Sequence, residues 1–169
     1  LVPLDRKQIL NHCPICTRHQ VVPIAEWEQI RREAIAETSA EMHRHAENPD
    51  AAIQMHTTLV AFHKIDEARS LAATMRVRFA DRPAVLQYLG GWFDRIGEDA
   101  QSDACFIRTL ELEPDNLAAR RAVAIGRIQQ GHLEQARNLL AAMRPPDPAF
   151  EPSAFFLLAE AYQERHDHE

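Results

Sequence analysis

The fold is decided by one stretch of sequence, residues 83–116, which reads PAVLQYLGGWFDRIGEDAQSDACFIRTLELEPDN. Its apolar residues recur at spacings of three and four positions in two separate groups, first Leu86, Leu89 and Phe93, then Phe106 and Leu110. Such spacing places one apolar stripe on each of two helices. The stretch is therefore expected to form two helices joined by a turn.

The same organisation returns along the chain with a fixed period. Gly97 stands between the two stripes, where the turn needs a residue that tolerates a positive φ, and Pro114 ends the second helix. Frames of 34 residues can be laid down at 49–82, 83–116 and 117–150. The period predicts three consecutive helix pairs.

The ending of the middle frame carries a family resemblance. The phrase LELEPDN at residues 110–116 resembles the LELDPNN ending of tetratricopeptide (TPR) repeats, and Gly90 matches the position where the two helices of a repeat approach most closely. The resemblance covers about residues 49–165, including a partial fourth frame at 151–165. It implies an all-α fold, a TPR-like solenoid in which helix pairs stack into a right-handed α-α superhelix.

One long helix is expected before the repeats, over residues 24–48. Pro23 suits a position at the start of a helix, and Trp27, Ile35 and Met42 belong to one apolar stripe. This segment does not fit the 34-residue frame. Its expected role is to cap the first repeat, because the open end of such a stack needs a covering element.

The resemblance also implies a partner-binding groove. In the TPR family the concave surface, lined mostly by first helices, binds a segment of a partner protein. Carried over by position, the groove residues are Gln87, Asp94, Arg95, Arg121, Ile125 and Ile128. This mixed lining with two arginines suits a peptide with apolar anchors and a carboxylate. The alternative is that the isoleucines belong to the core between repeats.

Two arginines depart from the repeat pattern. Arg120 occupies a position that is usually bulky and apolar, and Arg127 one that is usually aromatic. Two interpretations stay open. Either these side chains lie on a solvated or rotated helix face, or they form a basic cluster with Arg121 for an acidic partner.

The segment ahead of the long helix, residues 1–23, contains the motif HCPICTRH. Cys13 and Cys16 have the spacing of two thiolates that chelate one metal ion, and zinc would need two further ligands, for which His12 and His19 are candidates. A disulfide, two free thiols and a redox pair are the alternatives. A thioredoxin-type dithiol needs a preceding strand and a βαβ surround, which the flanking residues do not supply. Haem attachment in its usual form is excluded because Thr17 follows the second cysteine.

Charge and motif content limit the function classes. A formal net charge of −6 argues against a general nucleic-acid binder, and no run of about 18 apolar residues occurs to span a membrane. No catalytic triad, paired carboxylates or phosphate loop stands out. The chain begins at Leu1 rather than at methionine, so we expect a piece of a longer protein.

These features predict a non-enzymatic scaffold that binds a protein or peptide partner and is part of a larger protein or assembly. Self-association is left open, as is the compartment, with the cytoplasm favoured over the periplasm. One alternative is a regulatory domain that responds to zinc or redox state through Cys13 and Cys16. Another is an accessory domain of an enzyme whose catalytic part is absent from this sequence.

Overall fold

The computed structural model describes residues 8–12, 19–141, 143 and 153–167. In this part of the chain a short β-hairpin precedes eight α-helices. The predicted all-α class is confirmed. The helices are α1 Ile24–Arg44, α2 Pro49–Ala61, α3 Ile65–Arg78, α4 Pro83–Arg95, α5 Asp99–Leu112, α6 Leu117–Gln129, α7 Leu133–Ala141 and α8 Ser153–Asp167.

The hairpin is the element that the sequence did not predict. Strands β1 (Gln8–His12) and β2 (His19–Pro23) are antiparallel, and their register places His12 opposite His19. Strands of five residues carry too few positions for an alternating pattern to stand out. Residues 13–18 of the cysteine motif connect these strands in sequence and lie outside the described residues.

The chain divides into two compact units, Leu1–Met75 and Arg76–Glu169, with the division inside α3. In the first unit the buried residues come mainly from α2, namely Ala51, Ala52, Met55, His56 and Leu59. The predicted bounds at 24–48 and 49–165 follow the repeat pattern instead, and they stay a prediction.

Helix α1 lies on α2 along half-buried contacts. The Trp27 ring meets Phe62 edge-on with centroids 6.0 Å apart, and the Thr38 hydroxyl lies 3.2 Å from the Met55 sulfur. No residue of α1 is fully buried, and Ile30, three positions after Trp27, is 38% exposed. The stripe of α1 is therefore only partly covered.

The first helices of the three predicted frames begin at equal intervals. Helices α2, α4 and α6 start at Pro49, Pro83 and Leu117, so that 34 residues separate each start from the next. At the first and last of these starts, the side-chain oxygens of Asn48 and Asn116 accept hydrogen bonds from backbone N–H groups of the first turn. The sequence thus fixes both the spacing and the local N-caps.

The turns inside the frames share one backbone conformation. His63, Gly97 and Gly131 follow α2, α4 and α6 with φ values of 56°, 73° and 75°. After Gly97, the Glu98 N–H donates to the Phe93 carbonyl at 2.9 Å, closing the helix end as in a Schellman motif. His63 adopts the same left-handed conformation at a cost of roughly 1 kcal/mol that glycine avoids.

The core of the second unit is built on α4. Its buried side chains are Val85, Leu86, Leu89, Trp92 and Phe93. The α4–α5 contact depends on Gly90, because a Cβ atom there would lie 2.9 Å from two ring carbons of Phe106. The Ser102 hydroxyl donates to the Gly90 carbonyl at 3.0 Å across the same contact. The close approach predicted at Gly90 is therefore present.

Candidate functional site

A cleft of about 460 Å3 opens between α4, α5 and α6 in the second unit, and we call it the α4–α6 cleft. Helix α4 contributes Gln87 and Asp94 to it. The residues that line the cleft from the other two helices include Asp99, Ser102, Asp103 and Phe106 of α5 and Ala118, Arg121, Ala122, Ile125 and Gly126 of α6.

Four of the six predicted groove residues line this cleft. Gln87 and Asp94 lie on α4, and Arg121 and Ile125 lie on α6. The other two lie elsewhere: Arg95 is exposed at the end of α4, and Ile128 packs against the core cluster of α6, α7 and α8. Ile125 contacts that cluster as well as lining the cleft, so both interpretations of this isoleucine apply.

The cleft has an apolar part because of the packing beneath it. Phe106 is held against Gly90 of α4, and the small residues Ala118 and Ala122 leave space on the α6 side. Ala118 is exposed and Ala122 is half-buried, so the apolar surface is accessible from the solvent. A cleft of this volume is within the size range of sites that take a ligand side chain or a small ligand.

One wall of the cleft is fixed by an ion pair. Arg127 Nη1 of α6 lies 3.2 Å from Asp103 Oδ2 of α5, and the Gln130 amide donates to the same oxygen at 3.0 Å. Arg127 also donates to the Gln130 side-chain oxygen at 2.6 Å. Gly126 makes room for the carboxylate, because a Cβ atom there would lie 2.7 Å from Asp103 Oδ1. These contacts hold α5 and α6 together at the cleft.

The structure shows which groups Arg120 and Arg127, the two arginines that depart from the repeat pattern, contact. Arg127 forms an ion pair with Asp103, and the Arg120 guanidinium donates a hydrogen bond to the Pro114 carbonyl at the α5–α6 turn. Arg120 also lies 3.9 Å from Asp115 Oδ1. The interpretation as one basic cluster with Arg121 is therefore corrected, since these two side chains bind groups of their own chain.

The balance of charge in the cleft differs from the expected one. Its lining includes Asp94, Asp99 and Asp103 against Arg121. Even with Asp103 neutralised by Arg127, two exposed aspartates face one lining arginine. The predicted groove was limited to residues of first helices and so did not include Asp99 and Asp103 of α5. The departure at Arg127 was the signal that could have revealed Asp103, because a partly buried arginine needs an acidic partner.

Comparison of the sequence with protein-family models and with curated proteins found no match. The TPR resemblance therefore depends on the residues of this chain alone. In the described part of the chain, no helix combines the length and the apolar character needed to span a membrane.

The predicted metal ligands fall at the edge of the described residues. Cys13 and Cys16 lie outside them, while the backbones of His12 and His19 form the last cross-strand pair of the hairpin before the motif. Within the described residues, no group of three or more His, Cys, Asp or Glu side chains is placed to hold a metal ion. The zinc site stays a prediction.

Cys105 is a different kind of cysteine. Its side chain is completely buried in α5, and burial raises the pKa of its thiol, although the positive charge of Arg76 acts in the opposite direction. A thiol of this kind is a poor nucleophile at neutral pH, because the thiolate is the reactive form. Cys105 is a core residue.

Proposed function

We propose that the chain is a non-enzymatic interaction module of the TPR type, which binds a segment of a partner protein in the α4–α6 cleft. One observation carries this proposal: Gln87, Asp94, Arg121 and Ile125, chosen from two different repeats by sequence position, line a single cleft. Residues of separate frames that share a cleft can contact one extended ligand.

The regular spacing supports the repeat architecture. Helix starts 34 residues apart at Pro49, Pro83 and Leu117, with left-handed turns after α2, α4 and α6, are the spacing and turn geometry of stacked helix pairs. Stacking such pairs with a small rotation gives a right-handed superhelix with a concave binding face. We propose this arrangement for residues 49–165, with α1 as the cap.

The cleft indicates the chemistry of the bound segment. Phe106 and Ile125 offer apolar contact, while Asp94 and Asp99 provide negative charge beside it. A lysine or arginine next to an apolar residue matches this pattern, since opposite charges lower the free energy of the complex and steer encounter. The proposed ligand is therefore a basic segment with an apolar anchor, not the carboxylate-bearing peptide expected from the sequence.

Selection of random displayed peptides on the immobilised chain tests the proposal. We expect selected peptides to combine Lys or Arg with an apolar residue, and to lose binding to an Ala118→Trp variant whose indole fills the cleft. Ala104→Trp is the matched control, because Ala104 is also an exposed helical alanine but does not line the cleft. Peptides that bind both variants equally, or no enrichment at all, would rule out the cleft as the binding site.

The hairpin favours a second candidate function, a zinc- or redox-responsive segment. The register brings the backbones of His12 and His19 opposite each other on either side of the Cys13–Cys16 motif. Directly opposed residues of an antiparallel pair have Cα atoms about 4.5–5.5 Å apart. Four potential zinc ligands therefore lie within one short stretch of chain, and metal analysis of the chain and of a Cys13→Ser variant tests them.

A further inference from the structure

A second cavity, of about 760 Å3, lies in the first unit between α1 and α3. We call it the α1–α3 groove. Met55 and Leu59, both buried residues of α2, form its floor, and side chains of α1 and α3 form its walls. Ile35 and Met42 line the α1 wall and Leu71 lines the α3 wall. The groove surface is thus largely apolar, and its two methionines, Met42 and Met55, have flexible side chains that adapt to a ligand.

The groove carries its positive charge at one end. The Trp27–Phe62 contact places the first half of α1 beside the turn that leads into α3, which brings Arg31 and Arg32 near Lys64. Lys64 is balanced by Glu67 at 2.8 Å, whereas Arg31 lies over the Trp27 ring, 4.9 Å from its centroid. The two arginines therefore give this end a positive charge, and Met42 marks the uncharged end.

Helix α8 presents an exposed stripe whose charged end is acidic, whereas the charged end of the groove is basic. Its inner face packs through Ala154 and Leu158, while Phe156 and Leu157 are 67% and 41% exposed. Glu160 and Glu164 are exposed and continue the same outer stripe at helical spacing. The stripe is apolar toward the start of α8 and acidic toward its end.

We propose that the α1–α3 groove of one copy of the chain binds α8 of a second copy. The stretch of α1 from Arg31 to Met42 is about 16 Å long and that of α8 from Phe156 to Glu164 is about 12 Å, so the stripe fits along the groove. With the acids of α8 at the arginine end, Phe156 and Leu157 enter the apolar part. In this orientation α8 runs antiparallel to α1.

Groove and helix are different surfaces, so the contact is head-to-tail. Such a heterologous contact builds a ring if the rotation closes and an open chain if it does not. Association then increases with protein concentration and weakens with salt, because charge pairs at an accessible interface are screened. This self-association is independent of the α4–α6 cleft.

Sedimentation velocity of the whole chain tests the proposal with two charge reversals. The groove variant is Arg31→Glu with Arg32→Glu, and the helix variant is Glu160→Arg with Glu164→Arg. Each alone is expected to raise the dissociation constant of self-association by about tenfold or more, since about 1.4 kcal/mol corresponds to tenfold. Glu33→Arg with Glu37→Arg is the control, because these exposed α1 residues do not line the groove.

Mixing the two variants provides the decisive comparison. The acidic α8 of the groove variant matches the unchanged groove of the helix variant, so the mixture is expected to associate although neither component does so alone. A wild-type chain that stays monomeric at all concentrations would overturn the proposal. Variants that associate like the control, or a mixture that behaves as its components do, would overturn it as well.

Discussion

Asp103 of α5 and Arg127 of α6 form an ion pair whose two side chains are only 19% and 20% exposed. Arg127 occupies a position that is usually aromatic in the repeat pattern. An electrostatic contact therefore replaces an apolar one between adjacent helix pairs. A carboxylate at this depth is costly to leave without its partner. The pair therefore ties the stability of the second unit to the shape of the cleft.

A double-mutant cycle of Asp103→Asn and Arg127→Gln measures this pair. We expect a coupling free energy of about 1 kcal/mol in urea unfolding, above the value for exposed pairs because water screens this pair less. The control pair is Arg108 and Glu111, which are closer at 2.7 Å but 45% and 56% exposed. Equal coupling in the two cycles would contradict the importance of burial.

The adjacent glycines of α4 give a prediction about packing. Gly90→Ala places a Cβ atom 2.9 Å from the Phe106 ring, whereas Gly91→Ala meets only the end of Arg95, 3.8 Å away. Both changes gain up to about 1 kcal/mol of helix propensity, so their difference isolates the packing cost. We expect Gly90→Ala to be less stable than Gly91→Ala by about 1–3 kcal/mol in chemical unfolding.

A second substitution checks the cause of that difference. Phe106→Leu removes the ring that the new methyl group would meet, so in the Gly90→Ala background it should recover part of the lost stability. If Phe106→Leu costs the same in both backgrounds, the clash with the ring is not the source of the loss.

Tyr162 of α8 predicts a pH dependence. Its hydroxyl donates to Glu134 of α7 at 2.7 Å, and this hydrogen bond, together with burial and the carboxylate charge, raises the pKa of Tyr162. Because the folded pKa is raised, the contribution to stability is full below the unfolded pKa. It is lost as the pH rises through the folded pKa.

Ultraviolet titration of the phenol groups measures that shift. The chain has two tyrosines, so a Tyr88→Phe variant reports on Tyr162 alone. In that background Glu134→Gln should lower the Tyr162 titration midpoint, since the charged acceptor is the main cause of the shift. A midpoint that does not move would contradict the contact between α7 and α8.

The cysteines provide the test of the zinc hypothesis. Since Cys105 is fully buried, a thiol count on the native chain reports on Cys13 and Cys16, and the third thiol appears on unfolding. The zinc hypothesis predicts one zinc per chain by metal analysis, lost in a Cys13→Ser variant. A native chain without metal refutes it. In a chain without metal, two reactive thiols would indicate that both cysteines are free. No reactive thiol before reduction would indicate a disulfide.

The helices were predictable because their signals are local. Pro49 and Pro83 mark helix starts, and Gly97 and Gly131 mark turns, through backbone properties that each residue has by itself. The first frame has His63 where the other two have glycine, and it keeps the same turn conformation. Strands β1 and β2 were missed because a hairpin depends on pairing between segments, and the pattern within each is weak.

The candidate cleft was predictable only in part. The positions carried over from the TPR resemblance include four residues of α4 and α6 that line the cleft. The resemblance did not reveal that Asp99 and Asp103 of α5 join the lining, because the repeat pattern constrains small and apolar positions more than polar ones. The expected lining therefore lacked two of the three aspartates that line the cleft.

The division into two units has a consequence for spectroscopy. Trp27 belongs to the first unit and Trp92 to the second, and the chain has no other tryptophan. Trp92 is 2% exposed, so its emission should shift strongly to the red on melting, whereas the half-buried Trp27 should shift less. Two single-tryptophan variants would thus follow the two halves separately during heating. Coincident curves would mean one cooperative transition, and separated curves would rank the halves by thermal stability.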